Sequence, residues 1–395
     1  MIARILIPIL LAVLLTDLYI DRRFTRRRCS SRWKRCLCLL PSVAIYILSF
    51  LLASEKSFVP ADVLYIHLYL LLLGVYLLPR LLFVVCSALG WGIRVMAGKK
   101  DNWGNLVGFA VAVTCVVMVV YGATIGWRNL QVKHVHLTFS QLPPAFDGYR
   151  IVHFSDFHAG TFAAPLRDFV EEAVDSMLAQ QADLICFTGD IQNVRPEELQ
   201  HVAYLLSALS AKDGVCSVMG NHDYSMYLHA DSATRAASEQ ATAKAEEAMG
   251  WHVLRNSHRV IHRGNDSIFV VGTENDGQPP FPSKANWQQA LAGVPQGAFT
   301  LVLQHDPSAW RRNVLPHTQA ALTLSGHTHG GQFGLFGWRP TQWRYPDDLG
   351  LYSHSEKAAE EPRYLYITAG LGGVVPFRLG VNPEITVITL HSAKQ

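Results

Sequence analysis

Charge is scarce in this sequence: 16% of its 395 residues are Asp, Glu, Lys or Arg, against 50% that are hydrophobic. The scarcity is uneven. Before about residue 127 the apolar runs contain almost no acidic side chains, which excludes an ordinary solvated domain there. A disulfide framework is also missing. The seven cysteines (29, 36, 38, 86, 115, 186 and 216) form no CxxC pair, and five of them lie in the N-terminal region. Cys186 and Cys216 sit inside LICFTG and GVCSVMG and read as small buried residues. Cys36 and Cys38, one residue apart in an apolar run, carry no chemistry. No internal repeat or low-complexity segment is visible, which excludes a solenoid. The formal net charge is only +3, with many of the basic residues in one short loop, so a nucleic-acid binder is not expected.

Long hydrophobic runs are what the N-terminal third has instead. Ile2–Ile20, Cys36–Ala53, Val63–Phe83 and Leu106–Trp127 each approach the roughly 20 residues that cross a bilayer. Any one of them alone reads equally as a helix buried in a soluble core. The first could be a signal peptide, but it lacks a basic start and a small-residue cleavage site, and more spans follow it. Pro79 and Arg80 interrupt the third run. The connection DRRFTRRRCSSRWKR is densely basic, the next, SEKSFVPAD, has Lys56 alone, and the third carries Arg94, Lys99 and Lys100. Basic loops stay cytoplasmic. By parity, the chain after Trp127 emerges on the outer face of the plasma membrane. The expected division is therefore a multi-pass anchor of about four transmembrane helices over residues 1–127, then a catalytic domain over 128–395.

From Asn129 the texture changes. VKHVHLTF alternates like a half-buried strand. Apolar strands are predicted at Tyr149–Phe154, Leu184–Thr188, Val215–Met219, Ser267–Gly272, Thr300–Gln304, Ala321–Ser325, Tyr364–Thr368 and Ile385–Leu390. Helices are predicted at Pro165–Gln181, Pro196–Leu209 and Ala233–Met249, the two prolines suiting first turns. This alternation argues for a layered α/β domain.

Chemistry gathers just after the strands. SDFHAG supplies Asp156 and His158, TGD supplies Asp190, and GNHD supplies Asn221, His222 and Asp223; His305 follows in QHDP, and His327 and His329 in SGHTHGG. Such nitrogen and oxygen donors suit Zn, Mn or Fe. In extended chain, residues i and i+2 point the same way, so Asp156 with His158, and His327 with His329, can each face one cavity. Glycines 189, 220, 326 and 330 let the backbone approach closely. Asp190 is the natural bridge, because each carboxylate oxygen can bind one of two ions about 3.5–4 Å apart. Singly, these residues have plain readings: a lone His at a strand end is a surface residue, and a lone Asp is a helix cap. Five such loops together are not explained by capping. His153 and Cys186 are assigned to packing.

The order D-x-H, GD, GNHD, H, GHTH closely resembles the metallophosphoesterases, the calcineurin-like phosphoesterase superfamily. GHTHGGQ with the closing GLGGVVPFRLGVNPEI resembles their membrane-associated bacterial branch. The likeness covers roughly Gln131 to Leu390 and implies a four-layer αββα sandwich, an active hydrolase and two divalent metal ions (Mn, Zn or Fe). It implies that Asp156, His158, Asp190 and His329 hold one ion, and that Asp190, Asn221, His305 and His327 hold the other. His222 would protonate the leaving oxygen, with Asp223 orienting its ring. Phe157 stands where leucine is usual. The arrangement of the four spans rests on hydropathy and loop charge alone.

The expected substrate is a phosphomonoester, phosphodiester or pyrophosphate, including lipid- or nucleotide-linked ones. Tyr224–Trp251 and the aromatic Gln332–Arg363 segment are the candidates to select it, with Arg339 or Arg344 touching substrate. Aromatics beside arginines suit a lipid phosphate or the headgroup layer, and equally a loop packed on itself. The rival readings are a membrane sensor that binds metal without turnover, which has no use for His222, and a transporter. The spans offer only Arg80 and His67 as polar groups to the latter.

Overall fold

A computed structural model of the chain describes residues 2–29, 31–57, 63–162, 166–355 and 361–393. It divides into two compact units, Met1–Ile125 and Gly126–Gln395.

Among the described residues, three helices are long and apolar enough to cross a membrane: Ile2–Arg28, Leu64–Met96 and Gly104–Arg128. The second expected span is shorter, Leu40–Ala53. Its 14 residues rise only about 21 Å against a hydrocarbon core of about 30 Å. Pro79 and Arg80 do not interrupt the third span. A wide turn at Leu73–Leu77 loosens the hydrogen-bond ladder just before Pro79, and the helix continues through it. Arg80 reaches Asp17 at 2.6 Å and also bonds Tyr76. The expectation that Arg80 and His67 are the polar groups of the spans thus overlooked its acidic partner, and a paired charge is tolerable in a bilayer where a lone one is costly. Helices Leu64–Met96 and Gly104–Arg128 approach closely at Gly90 and Gly104. A Cβ on Gly104 would strike the Cys86 carbonyl and the Gly90 backbone, the use membrane helices make of small residues.

Among its described residues the second unit contains twelve strands: β1 Gln131–Phe139, β2 Tyr149–Phe154, β3 Leu184–Phe187, β4 Val215–Ser217, β5 His252–Val253, β6 Ser257–Arg263, β7 Asp266–Gly272, β8 Thr300–Leu303, β9 Leu322–Ser325, β10 Gly350–His354, β11 Arg363–Ile367 and β12 Glu384–Ser392. They form two sheets, β1-β12-β2-β3-β4-β5 and β10-β11-β9-β8-β7-β6. The central strands β2 to β5, and likewise β7, β8, β9 and β11, run parallel.

Alternation along each strand builds three apolar layers. Ile151, Leu184, Cys186 and Cys216 face Ile268, Val270, Leu301 and Leu322 between the sheets. On the far side of the first sheet, Val152, Phe154, Ile185 and Phe187 meet Phe169, Val170, Ala173 and Met177 of helix Arg167–Leu178. On the far side of the second, Val271, Val302 and Ile367 meet Ala290, Trp310 and Val314. Helices, sheet, sheet, helices: this is the four-layer αββα sandwich. His153 is fully buried with Nε2 2.9 Å from Thr188 Oγ1, and burial pushes it down to about 3. It is a packing residue, as expected.

Three strands were not anticipated. β5 is two residues long, β6 carries His258, Arg259 and His262 among its few apolar residues, and β10 lies within the aromatic segment. The helix expected at Pro196–Leu209 is a 3-10 helix at Pro196–His201 followed by a short helix at Ala203–Leu206. The first-turn proline expected at Pro165 lies outside the described residues.

Candidate metal centre

All five loops leave the C-terminal ends of their strands at the same edge of the sandwich, the edge where α/β sheets bind ligands. The loops after β2, β3 and β4 come from the first sheet, and those after β8 and β9 from the second. The side chains they carry form two groups that meet at Asp190. Asp156, His158 and His329 place donor atoms within 4.8 Å of one another, and so do Asp190, His305 and His327; a third such trio, His158, Asp190 and His222, joins them. His329 Nε2 is 3.2 Å from Asp156 and 3.3 Å from His158 Nε2. His305 Nε2 is 3.2 Å from both Asp190 Oδ2 and Asn221 Oδ1, and 3.2 Å from His327 Nδ1.

The local geometry is not extended chain. Asp156, His158, Asp190, His327 and His329 all have φ between 51° and 71°, a left-handed conformation that costs a non-glycine residue roughly 1 kcal/mol or more. Convergence of i and i+2 therefore comes from strained turns and not from strand alternation. Such strain concentrates at functional sites because the surrounding structure holds it there. Close approach supplies the hold at two glycines. A Cβ on Gly220 would strike the Asp190 carboxylate, and one on Gly326 would strike Ser155 and Asp156.

The electrostatics suit a cation. Burial lowers His158 far below its usual range, lowers His327, and pulls His329 down to about 4. These imidazoles are neutral at pH 7, with lone pairs to offer. Burial opposes the charge on Asp190, but His305 and His222 beside it hold its carboxyl well below the usual range. Burial would also lower His305, yet Asp190 lifts it to about 10. The Nδ1 atoms of His158 and His329 and Oδ2 of Asp306 are buried with no hydrogen-bond partner. Donor types and protonation fit a divalent metal, the clustered nitrogens of His158 and His329 being their Nε2 atoms.

His222 departs from expectation in one respect. Its ring Nδ1–H donates to the Asn193 carbonyl at 2.6 Å. Asp223, expected to orient that ring, accepts from the backbone N–H groups of Asp190, Ile191 and Gly220 at 2.7–2.9 Å. Burial, with the charge of Asp190 behind it, raises Asp223 to about 7. Asp223 ties the loop after β3 to the loop after β4, and a carboxylate engaged by backbone donors leaves the ring to Asn193.

Other contributors carried no motif. Tyr345 bonds His327 Nε2 at 2.8 Å, and Phe281 and Tyr227 pack edgewise or tilted on His327 and His222. Fully buried Arg378 donates to the carbonyls of Ala369, Gly370 and Gly372, fixing the loop that lies against Asp156. Of the two arginines expected to offer a substrate contact, Arg339 makes a bidentate pair with Asp348 at 2.7 and 2.8 Å. Arg344 stays exposed beside Tyr345.

Among known proteins, residues 149–331 match the family model of the calcineurin-like phosphoesterases. Residues 3–127 match that of a transmembrane domain of probable calcineurin-like phosphoesterases. The uncharacterized metallophosphoesterase YkuE of Bacillus subtilis is 30% identical over 263 residues, 64% of this chain and 82% of that protein. A transmembrane protein with metallophosphoesterase domain from Bos taurus is 25% identical over 399 residues, 92% of this chain and 82% of that protein. The UDP-2,3-diacylglucosamine pyrophosphatase LpxG of Chlamydia muridarum is 24% identical over 331 residues, 71% of this chain and 97% of that protein.

Proposed function

This chain belongs to the calcineurin-like metallophosphoesterases and is anchored in a membrane by its own helices; from that premise we propose that it hydrolyses a lipid- or nucleotide-linked phosphate ester or pyrophosphate at the outer face of the plasma membrane. The observation that carries the reading is Asp190, which forms one trio of close donor atoms with His305 and His327 and another with His158 and His222. Asp156, His158, Asp190 and His329 would hold one divalent ion, and Asp190, Asn221, His305 and His327 a second. Bound there, the ions supply Lewis-acid charge and a nucleophilic water at neutral pH.

The rest is done by the chain's own side chains. The Asn193 carbonyl accepts the proton on His222 Nδ1 and so fixes the tautomer, leaving Nε2 as the nitrogen that takes up and returns a proton. His222 passes that proton to the departing oxygen, a general-acid role. Asp223 positions it indirectly, by holding the Asp190 and Gly220 backbones together. Phe281 and Tyr345 pack edge-on against His327 and hold its ring at the donor cluster. The relative named for a pyrophosphatase of UDP-2,3-diacylglucosamine supports a substrate with a lipid or nucleotide on the phosphate. The outward placement rests on the arginine-rich loop lying inside and on the short helix Leu40–Ala53 crossing along with the three long ones, 1–127 serving as anchor and 128–395 as catalytic domain.

One preparation tests activity and sidedness together. Right-side-out vesicles from cells carrying the full chain, supplied with Mn, Zn or Fe, are expected to hydrolyse an impermeant chromogenic phosphodiester in the outer solution. Hydrolysis only after the vesicles are broken open would overturn the sidedness. Metal binding without hydrolysis in either state would overturn the enzyme reading in favour of a sensor.

A further inference from the structure

Between His329 and Tyr345, both at the donor cluster, the chain runs out to a tight turn. Leu335 and Trp338 exchange backbone hydrogen bonds of 2.9 and 3.0 Å, and Phe336 and Gly337 between them have φ of 52° and 82°. Two successive left-handed positions make a turn that asks for Asn, Asp or Gly. Phenylalanine is poorly suited to that conformation, and Phe336 is 100% exposed, so its ring buries nothing. A side chain that strains its turn and packs on nothing is not placed there by the fold. Trp343 beside it is 82% exposed, Trp338 41% and Leu335 38%, the two indoles meeting edge to face at 5.3 Å. Next in the chain, exposed Arg344 reaches only the Pro279 carbonyl, at 3.5 Å, and the Tyr345 ring. Its nearest carboxylates in sequence are taken, Asp347 by Arg311 and Asp348 by Arg339. Among the described residues no acidic group neutralises it.

We propose that this tip, Leu335 to Arg344, inserts into the headgroup layer of the bilayer that anchors the chain. Phe336 and Trp343 would lie at the acyl boundary, and Arg344 on an anionic lipid phosphate. Tryptophan, phenylalanine and arginine are the residues of the membrane interface, where rings sit at headgroup level and a cation finds phosphates. Protein interfaces also use Trp and Arg, but the chain's own helices keep a bilayer within reach at all times. Tyr345 follows Arg344 directly and bonds His327, so a docked tip ends one residue from the donor cluster. The site would then draw a lipid phosphate ester from the leaflet without releasing it to water. That consequence rests on the phosphoesterase reading; the docking does not.

The test uses the full chain with bimane attached at Phe336→Cys, in nanodiscs of phosphatidylcholine and phosphatidylglycerol. Bimane at Tyr204→Cys, exposed in the same unit, serves as reference, and the unsubstituted chain labelled in parallel corrects for native cysteines. Brominated acyl chains are expected to quench the label at 336 several-fold more than at 204, while iodide quenches it several-fold less. Free access of iodide with no bromine quenching overturns the proposal. So does protection seen in native membranes but lost in lipid-only nanodiscs, which assigns the tip to a protein partner. Because the readout needs no turnover, a quenched label on an inactive chain leaves docking standing and removes only the phosphoesterase reading.

Discussion

Asp190→Ala is expected to lower metal-dependent hydrolysis by roughly 10³-fold or more, the largest loss available from one side chain. The magnitude follows from what the carboxylate does. It stands 3.2 Å from His305, 3.8 Å from His158, and accepts the His222 backbone N–H at 2.8 Å. Both proposed ions would use it. Losing a shared anionic ligand forfeits several kcal/mol of charge stabilisation, and about 4 kcal/mol corresponds to roughly a thousandfold in rate. Asp190→Asn keeps the shape beside Gly220 while removing the charge. It should fall by a similar factor with unchanged melting, which separates charge from folding. Steady-state rates across a titration of Mn or Zn check this. If Asp190→Asn retained most of the activity, a shared carboxylate could not be the pivot of the site.

His222→Ala is expected to lower kcat by about 10²–10⁴-fold, the range of a positioned general acid, without loss of bound metal. Its loss should also depend on the leaving group. A nitrophenolate departs without a proton, whereas an alkoxide needs one, so the variant should lose far more on an alkyl ester. An equal loss on both esters would show that His222 donates no proton. A parallel loss of metal would make it a ligand. Asn193 is a positioning residue in this scheme, acting through its carbonyl, while its buried side chain donates to Thr161 at 3.2 Å.

How the sequence conceals some of this is instructive. β2, the strand that delivers Asp156 and His158, was legible to the residue, and the strands before the other loops to within one or two residues at most of their ends, because apolar runs bounded by Gly and polar residues leave little choice. The loops were legible because His, Asp and Asn recur after those runs. Their backbone was not. Asp156 and Asp190, both at left-handed φ, pack against Gly326, Gly370 and Gly220, which come from other loops. No local pattern announces that packing. The role of Asp223 was misplaced for a related reason: adjacency in GNHD suggests a carboxylate on the neighbouring ring, whereas the fold brings three backbone N–H groups to it first. Asn193 lies 29 residues from His222 in sequence, and only the meeting of the β3 and β4 loops joins them. In the membrane unit, Asp17 pairs with Arg80 across 63 positions, so the pairing is invisible to any window of hydropathy. β10 was hidden in an aromatic stretch whose exposed and buried rings look alike in sequence: Tyr352 packs inward, while Trp343 stands in solvent.

The most direct test of the central claim is elemental analysis of the full-length chain, purified in detergent without chelator, alongside Asp190→Ala. A shared carboxylate joining two donor groups predicts about two transition-metal ions per chain, falling to one or none in the variant. A folded chain that binds no more than traces of metal, or a variant that keeps the full complement, would contradict it.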